Sequence, residues 1–213
     1  HSNLWVFPRG MKRNGETGEN SLEWTSRYGS VVTSAFEIAS TDGMNEKGLV
    51  ANLLWLPETE YPVRDKNKPG LAITAWVQYM LDNFATVEEA VAYIDEDTFQ
   101  VVSDMMPDGS RLATLHLSIS DATGDCAIFE YIGGKLTVYH SKEYKVMTNS
   151  PTYNKQLALS EYWKSIGGLS FLPGTNRAAD RFARASFYIN ALPESDDERI
   201  AVASVFSVVR NAS

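Results

Sequence analysis

Residues 114–138 read TLHLSISDATGDCAIFEYIGGKLTV, and this stretch decides the fold. Apolar and polar side chains alternate through residues 114–119, which is the period-two pattern of a strand with one buried face. Turn-forming residues at 121–125 separate it from a second apolar run, 126–132. The glycine pair at 133–134 that ends this run is typical of a two-residue hairpin. The stretch therefore predicts an antiparallel meander.

Further strands are predicted on both sides of this meander. Residues 136–138 and 145–147 are expected to continue it. Upstream, the β-branched run 30–37 and the apolar run 48–55 predict two strands, and the turn-forming residues 41–43 lie between them. Since sequential strands usually pair, these two are expected to be antiparallel neighbours.

Four segments show apolar residues at three- and four-residue spacing, which is typical of one face of a helix. They are residues 73–84, 87–94, 178–190 and 200–209. Thr86 with Glu89, and Ser195 with Glu198, are spaced as capping boxes at the starts of two of these helices. Helices that are segregated from mainly antiparallel strands predict an α+β fold. Because there is no internal repeat or low-complexity linker, we expect a single domain over residues 1–213.

The composition of the 213-residue chain excludes several classes of function. The formal net charge is −8 and the pI is about 4.9, and the basic residues are scattered, which argues against a nucleic-acid partner. There is no run of eighteen apolar residues, so no membrane-spanning helix is expected. Cys126 is the one cysteine, which excludes an internal disulfide framework.

A search for catalytic residues by type and spacing gives no clear set. His116 and His140 are predicted on the solvated side of their strands, and Cys126 is predicted to be a small buried strand residue rather than a nucleophile. Asp180 is interpreted as a charge at a helix N-terminus. No spacing typical of metal ligands occurs. These patterns alone predict an α+β domain whose activity they do not specify.

Three segments carry a resemblance to a known family. Residues 148–154 contain Thr-Asn-Ser-Pro directly after a predicted strand. Residues 172–174, Leu-Pro-Gly, precede Asp-Arg-Phe at 180–182. Residues 45–49, Asn-Glu-Lys-Gly-Leu, lead into a strand that ends at Trp55. In this order and at this spacing, over nearly the whole chain, they resemble the choloylglycine hydrolase and penicillin V acylase family of N-terminal-nucleophile hydrolases.

The resemblance implies an αββα sandwich, in which two antiparallel sheets lie between layers of helices. It also implies hydrolysis of a linear amide by an N-terminal cysteine whose own α-amino group is the base, with no cofactor and no metal. That cysteine is expected upstream of His1, and the chain is expected to be cut at both ends. The polypeptide of residues 1–213 is therefore expected to be inactive alone.

Two polar residues match the family's catalytic positions. Asn149 matches the asparagine near the oxyanion site, and its side-chain NH2 group is a suitable donor. The alternative is that Asn149 only closes the turn before Pro151. Arg181 matches the active-site arginine, and the alternative for it is a salt bridge with Asp180 or another acid.

Three apolar residues match the substrate pocket by the same resemblance. Trp55 stands where bile-salt-hydrolysing members often have an asparagine, which favours an aromatic-lined pocket of the Gram-negative acylase branch. Its alternative is plain core packing. Met105 and Met106 lie in the loop that borders the acyl pocket, and the alternative for them is a surface loop that covers the core.

The resemblance therefore predicts an amidohydrolase acting on a small N-acyl amide, with penicillin V and N-acyl homoserine lactones as substrates. The alternatives are a conjugated bile salt hydrolase and a non-catalytic relative that binds small molecules. Kinship also implies a homotetramer and a periplasmic rather than a cytoplasmic location.

Overall fold

The structure is a computed structural model that describes residues 2–167 and 171–212. Its contacts divide the chain into two compact units, residues 1–144 and residues 145–213. The two units differ in their secondary structure. The single domain expected over residues 1–213 stays a prediction.

The first unit is built mainly of strands. Residues 2–144 form eleven of them: β1 Ser2–Phe7, β2 Lys12–Asn14, β3 Glu23–Thr25, β4 Ser30–Ala35, β5 Ala39–Asn45, β6 Val50–Trp55, β7 Gly70–Ala72, β8 Gln100–Val102, β9 Leu115–Ser120, β10 Cys126–Ile132 and β11 Lys135–His140. Seven form one antiparallel sheet in the order β1-β4-β5-β6-β9-β10-β11. Strands β2 and β3 pair antiparallel, and β7 and β8 pair parallel. The antiparallel meander predicted around residues 114–138 is confirmed.

Two helices of the first unit cover one face of the large sheet. After a turn of 3-10 helix at Ile73–Ala75, α1 spans Trp76–Asn83 and α2 spans Val87–Asp95. The apolar face predicted for the first helix is confirmed, since its members are buried: Ile73, Trp76, Val77, Met80, Leu81 and Phe84. Thr86 caps α2 as predicted, because its hydroxyl accepts a hydrogen bond from the Glu89 N–H at 3.2 Å.

The turn predicted at residues 41–43 is wrong, because these residues lie inside β5 and separate β4 from β6. Gly43 is needed there for close packing: a Cβ at this position would lie 2.7 Å from side-chain atoms of both Val32 and Leu81. The chain instead turns at Phe36 and Glu37, whose φ angles of 55° and 63° are positive without any glycine to indicate the turn.

His116 is fully buried, which corrects the prediction of a solvated position. Its Nδ1 lies 2.9 Å from Oε1 of Glu130, a carboxylate that is also fully buried. The alternating pattern is misleading here because β10 is buried on both faces of the sheet, Cys126 included. A buried carboxylate requires a polar partner, and His116 supplies it.

A second buried carboxylate, Asp82 on α1, connects this helix to the β2–β3 hairpin. It accepts hydrogen bonds from the Trp24 indole N–H at 2.8 Å and from the Gln78 amide at 2.7 Å. The Nε of Arg13 lies 3.0 Å from the same carboxylate. Asp82 is 0% exposed, so these groups take the place of water around the carboxylate.

The second unit is helical where it is described. Helix α3 spans Tyr153–Gly167, α4 spans Ala178–Ala191 and α5 spans Glu198–Ala212. Helix α4 confirms the prediction for residues 178–190. The strand predicted at 145–147 is wrong, since these residues form neither strand nor helix. The cap of α5 is Asp197 rather than Ser195, because the Asp197 carboxylate accepts the N–H of Arg199 at 2.8 Å.

The Asn-Glu-Lys-Gly-Leu segment carries an ion pair that leads to a prediction on pH. The Glu46 carboxylate accepts the Arg9 guanidinium and, at 2.7 Å, the Gly29 N–H. The hydrogen bond from Arg9, followed by that from Gly29, lowers the pKa of Glu46 to about 2. A pKa that folding lowers contributes stability above the unfolded value, which for glutamate is about 4.3, and this stability is lost as the pH falls through the folded value.

Replacing Glu46 with Gln is therefore expected to lower the melting temperature at pH 7, and the difference from wild type is expected to shrink as the pH falls from about 5 to about 2. Thermal unfolding followed by circular dichroism across this range measures it. Glu60→Gln, at an exposed glutamate, is the control. A Glu46→Gln deficit that is constant with pH would contradict the prediction.

Candidate active site

The Thr-Asn-Ser-Pro turn at residues 148–151 is fixed by a buried glutamine of α3. The side-chain NH2 of Gln156 donates to the carbonyl oxygens of Thr148 at 2.9 Å and Pro151 at 2.5 Å. Its side-chain oxygen accepts the Thr148 N–H at 3.3 Å. Gln156 is 0% exposed, so the turn is held by hydrogen bonds that water does not weaken. Sequence reasoning missed this residue. The one indication in the sequence was the position of this glutamine, one turn after Tyr153.

Asn149 and Arg181 meet in this unit. The Nη2 of Arg181 donates to the Oδ1 of Asn149 at 2.9 Å, and its Nε donates to the Asn176 carbonyl at 3.2 Å. A guanidinium can only donate, so the carbonyl oxygen of the Asn149 side chain must face it. The Asn149 NH2 group is thereby left as a donor with a fixed direction.

The ion pair considered as an alternative for Arg181 does not form with Asp180. The Asp180 carboxylate, in the first turn of α4, instead accepts a hydrogen bond from the Thr175 hydroxyl. Among the described residues, no carboxylate lies within ion-pair distance of Arg181. Its guanidinium is therefore directed at Asn149 rather than at an acid.

Arg184, one turn further along α4, is a residue that sequence reasoning missed. Its Nη1 donates to the carbonyl oxygens of Pro173 and Thr175 at 2.8 and 2.7 Å. Its Nη2 donates to the Ala212 carbonyl at 2.9 Å, in the last turn of α5. Arg184 therefore fixes the loop that leads into α4, and with it the start of the helix that carries Arg181. A lone arginine in a helical pattern gives no signal of this role.

In the first unit, the three predicted pocket residues line one apolar cavity of about 150 Å³. Trp55 is at the end of β6, and Met105 and Met106 are in the loop before β9. The other side chains in its wall come from the Phe36 turn, from β6, from the 3-10 turn before α1 and from the start of β9; they include Phe36, Ile38, Leu53, Ile73, Ala113 and Leu115. Phe36 and Ile38 are 58% and 59% exposed. Sequence analysis did not identify them as cavity residues because it placed the turn at residues 41–43.

Trp55 is half-buried and lines this cavity. Arg111 lies over the ring, with its guanidinium carbon 4.0 Å from the ring centroid. A guanidinium stacked at this distance makes a favourable cation–π contact and limits the rotation of the indole. Trp55 therefore lines the cavity and also contacts a cation.

Tyr61 supports the wall of the cavity at the start of β9. Its hydroxyl accepts the Leu115 N–H at 3.1 Å and donates to the Ala113 carbonyl at 3.2 Å. Burial raises the pKa of Tyr61 to about 12. It is therefore a neutral phenol at ordinary pH and acts as a structural hydrogen-bonding group.

Comparison with known families supplies the context for these residues. A family model for linear amide C-N hydrolases of the choloylglycine hydrolase family matches residues 1–213. The chain belongs to this family. Membership confirms the family resemblance seen in the three sequence segments.

Individual members of the choloylglycine hydrolase family match over the whole chain. A penicillin V acylase of Pectobacterium atrosepticum is 53% identical over 100% of this chain and 61% of its own length. A bile salt hydrolase/transferase of Clostridium perfringens is 29% identical over 100% of this chain and 71% of its own length. The solved structure of penicillin V acylase from Agrobacterium tumefaciens superposes with a TM-score of 0.92 at 59% identity, covering 100% of this chain and 64% of that one.

These matches confirm the α+β fold of N-terminal-nucleophile hydrolases for this chain. The chain spans less than two thirds of the length of the two penicillin V acylases, 61% and 64%. In the described part of the chain, no helix is long and apolar enough to cross a bilayer, and no group of three His, Cys, Asp or Glu side chains is placed to hold a metal ion.

Proposed function

We propose that the protein hydrolyses the linear amide bond of small N-acyl compounds, with penicillin V and N-acyl homoserine lactones as its substrates. The observation that carries this proposal is the 2.9 Å hydrogen bond from Arg181 to Asn149. It leaves the Asn149 NH2 group as a donor, and an oxyanion site requires such a donor, in a chain that belongs to a family of linear amide hydrolases.

The chemistry that we propose uses an N-terminal cysteine as nucleophile. Its α-amino group, whose pKa is ordinarily about 7.7 to 8, accepts the thiol proton and later protonates the leaving amine. The NH2 group of Asn149 donates to the oxyanion that forms when the thiolate attacks the carbonyl carbon. Arg181 holds Asn149 in place and adds positive charge beside it. Cys126 is not this nucleophile, because it is buried inside β10.

We assign the acyl group to the cavity lined by Trp55, Met105 and Met106. An apolar cavity of about 150 Å³ is large enough for one benzene-sized ring. This size favours the phenoxymethyl group of penicillin V, or the end of an acyl chain, over the steroid of a conjugated bile salt. Conjugated bile salts are therefore the weaker alternative, and a non-catalytic binding protein is the other.

N-terminal sequencing of the mature protein, expressed from its complete gene, tests the proposal together with hydrolysis assays. We expect a chain that begins with cysteine and that releases phenoxyacetate from penicillin V faster than it releases cholate from glycocholate. If the mature protein begins with another residue and hydrolyses no N-acyl amide, the result would indicate a binding protein instead of an enzyme. Preferred cleavage of glycocholate would make it a bile salt hydrolase.

We further propose a homotetramer in the periplasm, as the family resemblance implies. Size-exclusion chromatography with light scattering tests the tetramer, and cell fractionation tests the compartment. A monomer would contradict the first expectation, and recovery with the cytoplasmic fraction would contradict the second.

A further inference from the structure

Thr148, the residue directly before Asn149, is buried, with 7% of its surface exposed. Its hydroxyl donates to the carbonyl oxygen of Ala178 at 2.8 Å. The side-chain oxygen of Gln156 is a second acceptor within reach, at 3.2 Å. A hydroxyl donates one hydrogen, and Ala178 is the nearer acceptor. The Thr148 side chain therefore joins the Thr-Asn-Ser-Pro turn to a residue 30 positions away.

Ala178 is the first residue of α4, the helix that also carries Arg181. Thr148 binds Ala178 and Arg181 binds Asn149, so two consecutive residues of the turn are attached to the first turn of one helix. A functional side chain is held in a precise geometry when its own backbone is fixed by such surrounding hydrogen bonds. The Thr148 hydroxyl therefore fixes the backbone from which the Asn149 side chain extends.

Gln156 has a different part in the same turn. Its side chain bonds the backbone N–H and carbonyl of Thr148 and the carbonyl of Pro151. Among the described residues, none of its hydrogen bonds is to α4. Gln156 thus fixes the internal shape of the turn, whereas the Thr148 hydroxyl fixes the place of the turn relative to α4.

The Ala178 carbonyl does not depend on Thr148 for a donor. In a helix, the carbonyl oxygen of the first residue accepts the N–H four residues further along. Loss of the Thr148 hydroxyl would therefore leave the start of α4 hydrogen-bonded and would release only the turn. This makes the effect of the hydroxyl separable from the folding of the helix.

We infer that Thr148 is a positioning residue for the oxyanion donor. Its hydroxyl holds the turn on α4, so that Arg181 meets the Asn149 side chain and orients it. The inference rests on the proposed function, in which the Asn149 NH2 group binds the oxyanion. Since a small displacement of a catalytic group lowers the rate strongly, the hydroxyl acts on kcat through Asn149.

Thr148→Val keeps the shape of the side chain and removes the hydroxyl. In the complete protein, it is expected to lower kcat for penicillin V about tenfold and to change KM less than about twofold. Thr148→Ser keeps the hydroxyl and is expected to have a kcat within about threefold of wild type. In an Asn149→Ala background, Thr148→Val is expected to lower kcat less than about twofold further, because the group that it positions is already absent.

Thr152→Val is the matched control. Thr152 is as buried as Thr148, at 7% exposed, but its hydroxyl donates to the Asn154 side chain at 2.8 Å and not to α4. This variant is expected to keep kcat within about twofold. The inference would be overturned if Thr152→Val lowered kcat as much as Thr148→Val, if the full loss persisted in the Asn149→Ala background, or if Thr148→Val kept the wild-type kcat.

Crystal structures separate this inference from the proposed function. If the complete wild-type protein hydrolyses no N-acyl amide, the proposed function fails, but the structures of wild type and Thr148→Val can still be compared. A turn displaced from α4, with the hydrogen bond between Arg181 and Asn149 broken, supports the positioning role. An unmoved Asn149 side chain rejects it. If Thr148→Val does not fold, Thr148→Ala removes the same hydroxyl and carries the same expectations.

Discussion

Asn149→Ala and Asn149→Asp are each expected to lower kcat for penicillin V by about 100- to 1,000-fold, because both remove the donor that we assign to the oxyanion. Aspartate keeps the shape of the side chain and still accepts the hydrogen bond from Arg181, so it isolates the loss of the NH2 group. Steady-state kinetics on the complete protein, with KM determined separately, measures the effect. The loss should fall on kcat, since the oxyanion is absent from the ground state.

Asn154→Ala is the matched control for this experiment. Asn154 belongs to the same sequence motif, but it is exposed, and among the described residues its side chain accepts hydrogen bonds from Thr152 and Lys155 alone. Its replacement is expected to leave kcat within about twofold. If Asn149→Asp retained kcat within tenfold, Asn149 would be a residue that closes the turn before Pro151, and the oxyanion donor would have to be sought elsewhere.

Asp82→Ala is expected to lower the free energy of unfolding by about 3 to 5 kcal/mol, the usual cost of removing one partner from a buried ion pair. The alanine removes the acceptor of the Trp24 indole and the carboxylate that forms an ion pair with Arg13. The Gln78 amide keeps only Ser30 as an acceptor. The indole N–H is then a half-buried donor whose bond to water has already been lost. Denaturant unfolding followed by tryptophan fluorescence measures the change.

Asp95→Ala, at an exposed aspartate near the end of α2, is the control and is expected to change stability by less than about 0.5 kcal/mol. Asp82→Asn is expected to lie between the two, because its carbonyl oxygen can still accept one donor while the charge is lost. A loss below about 1 kcal/mol in Asp82→Ala would mean that water or a shifted side chain replaces the carboxylate.

Elements that depend on local spacing were predicted well. The apolar face of α1, the Thr86 cap and the Gly-Gly hairpin between β10 and β11 all depend on residues within a few positions of one another. Periodicity and turn chemistry act at this range, so a single sequence is enough to identify such elements. The contact between Asn149 and Arg181 is different, because it joins residues 32 positions apart. Both residues were identified by family resemblance, and spacing gave no indication of either.

Errors arose where distant parts of the chain meet. Gly43 has the pattern of a turn, yet it lies in β5, where Leu81 and Val32 leave no room for a Cβ and a glycine is needed. His116 has the pattern of a solvated strand residue, yet it is buried beside Glu130 because both faces of the sheet are covered there. The residues that contact Gly43 and His116 are distant from them in the sequence, so no local pattern could have revealed these contacts.

The sequence by itself determined the α+β class, the helix faces, the meander and, through three motifs, the family. These features depend on side-chain periodicity and on short motifs that can be recognised without the rest of the structure. Only the tertiary structure decided which polar groups share one buried acceptor at Asp82, which turn brings Phe36 to the cavity, and where the charge of Arg111 lies. Such details follow from dense packing and from the need to pair every buried polar group, and both act between residues far apart in the chain.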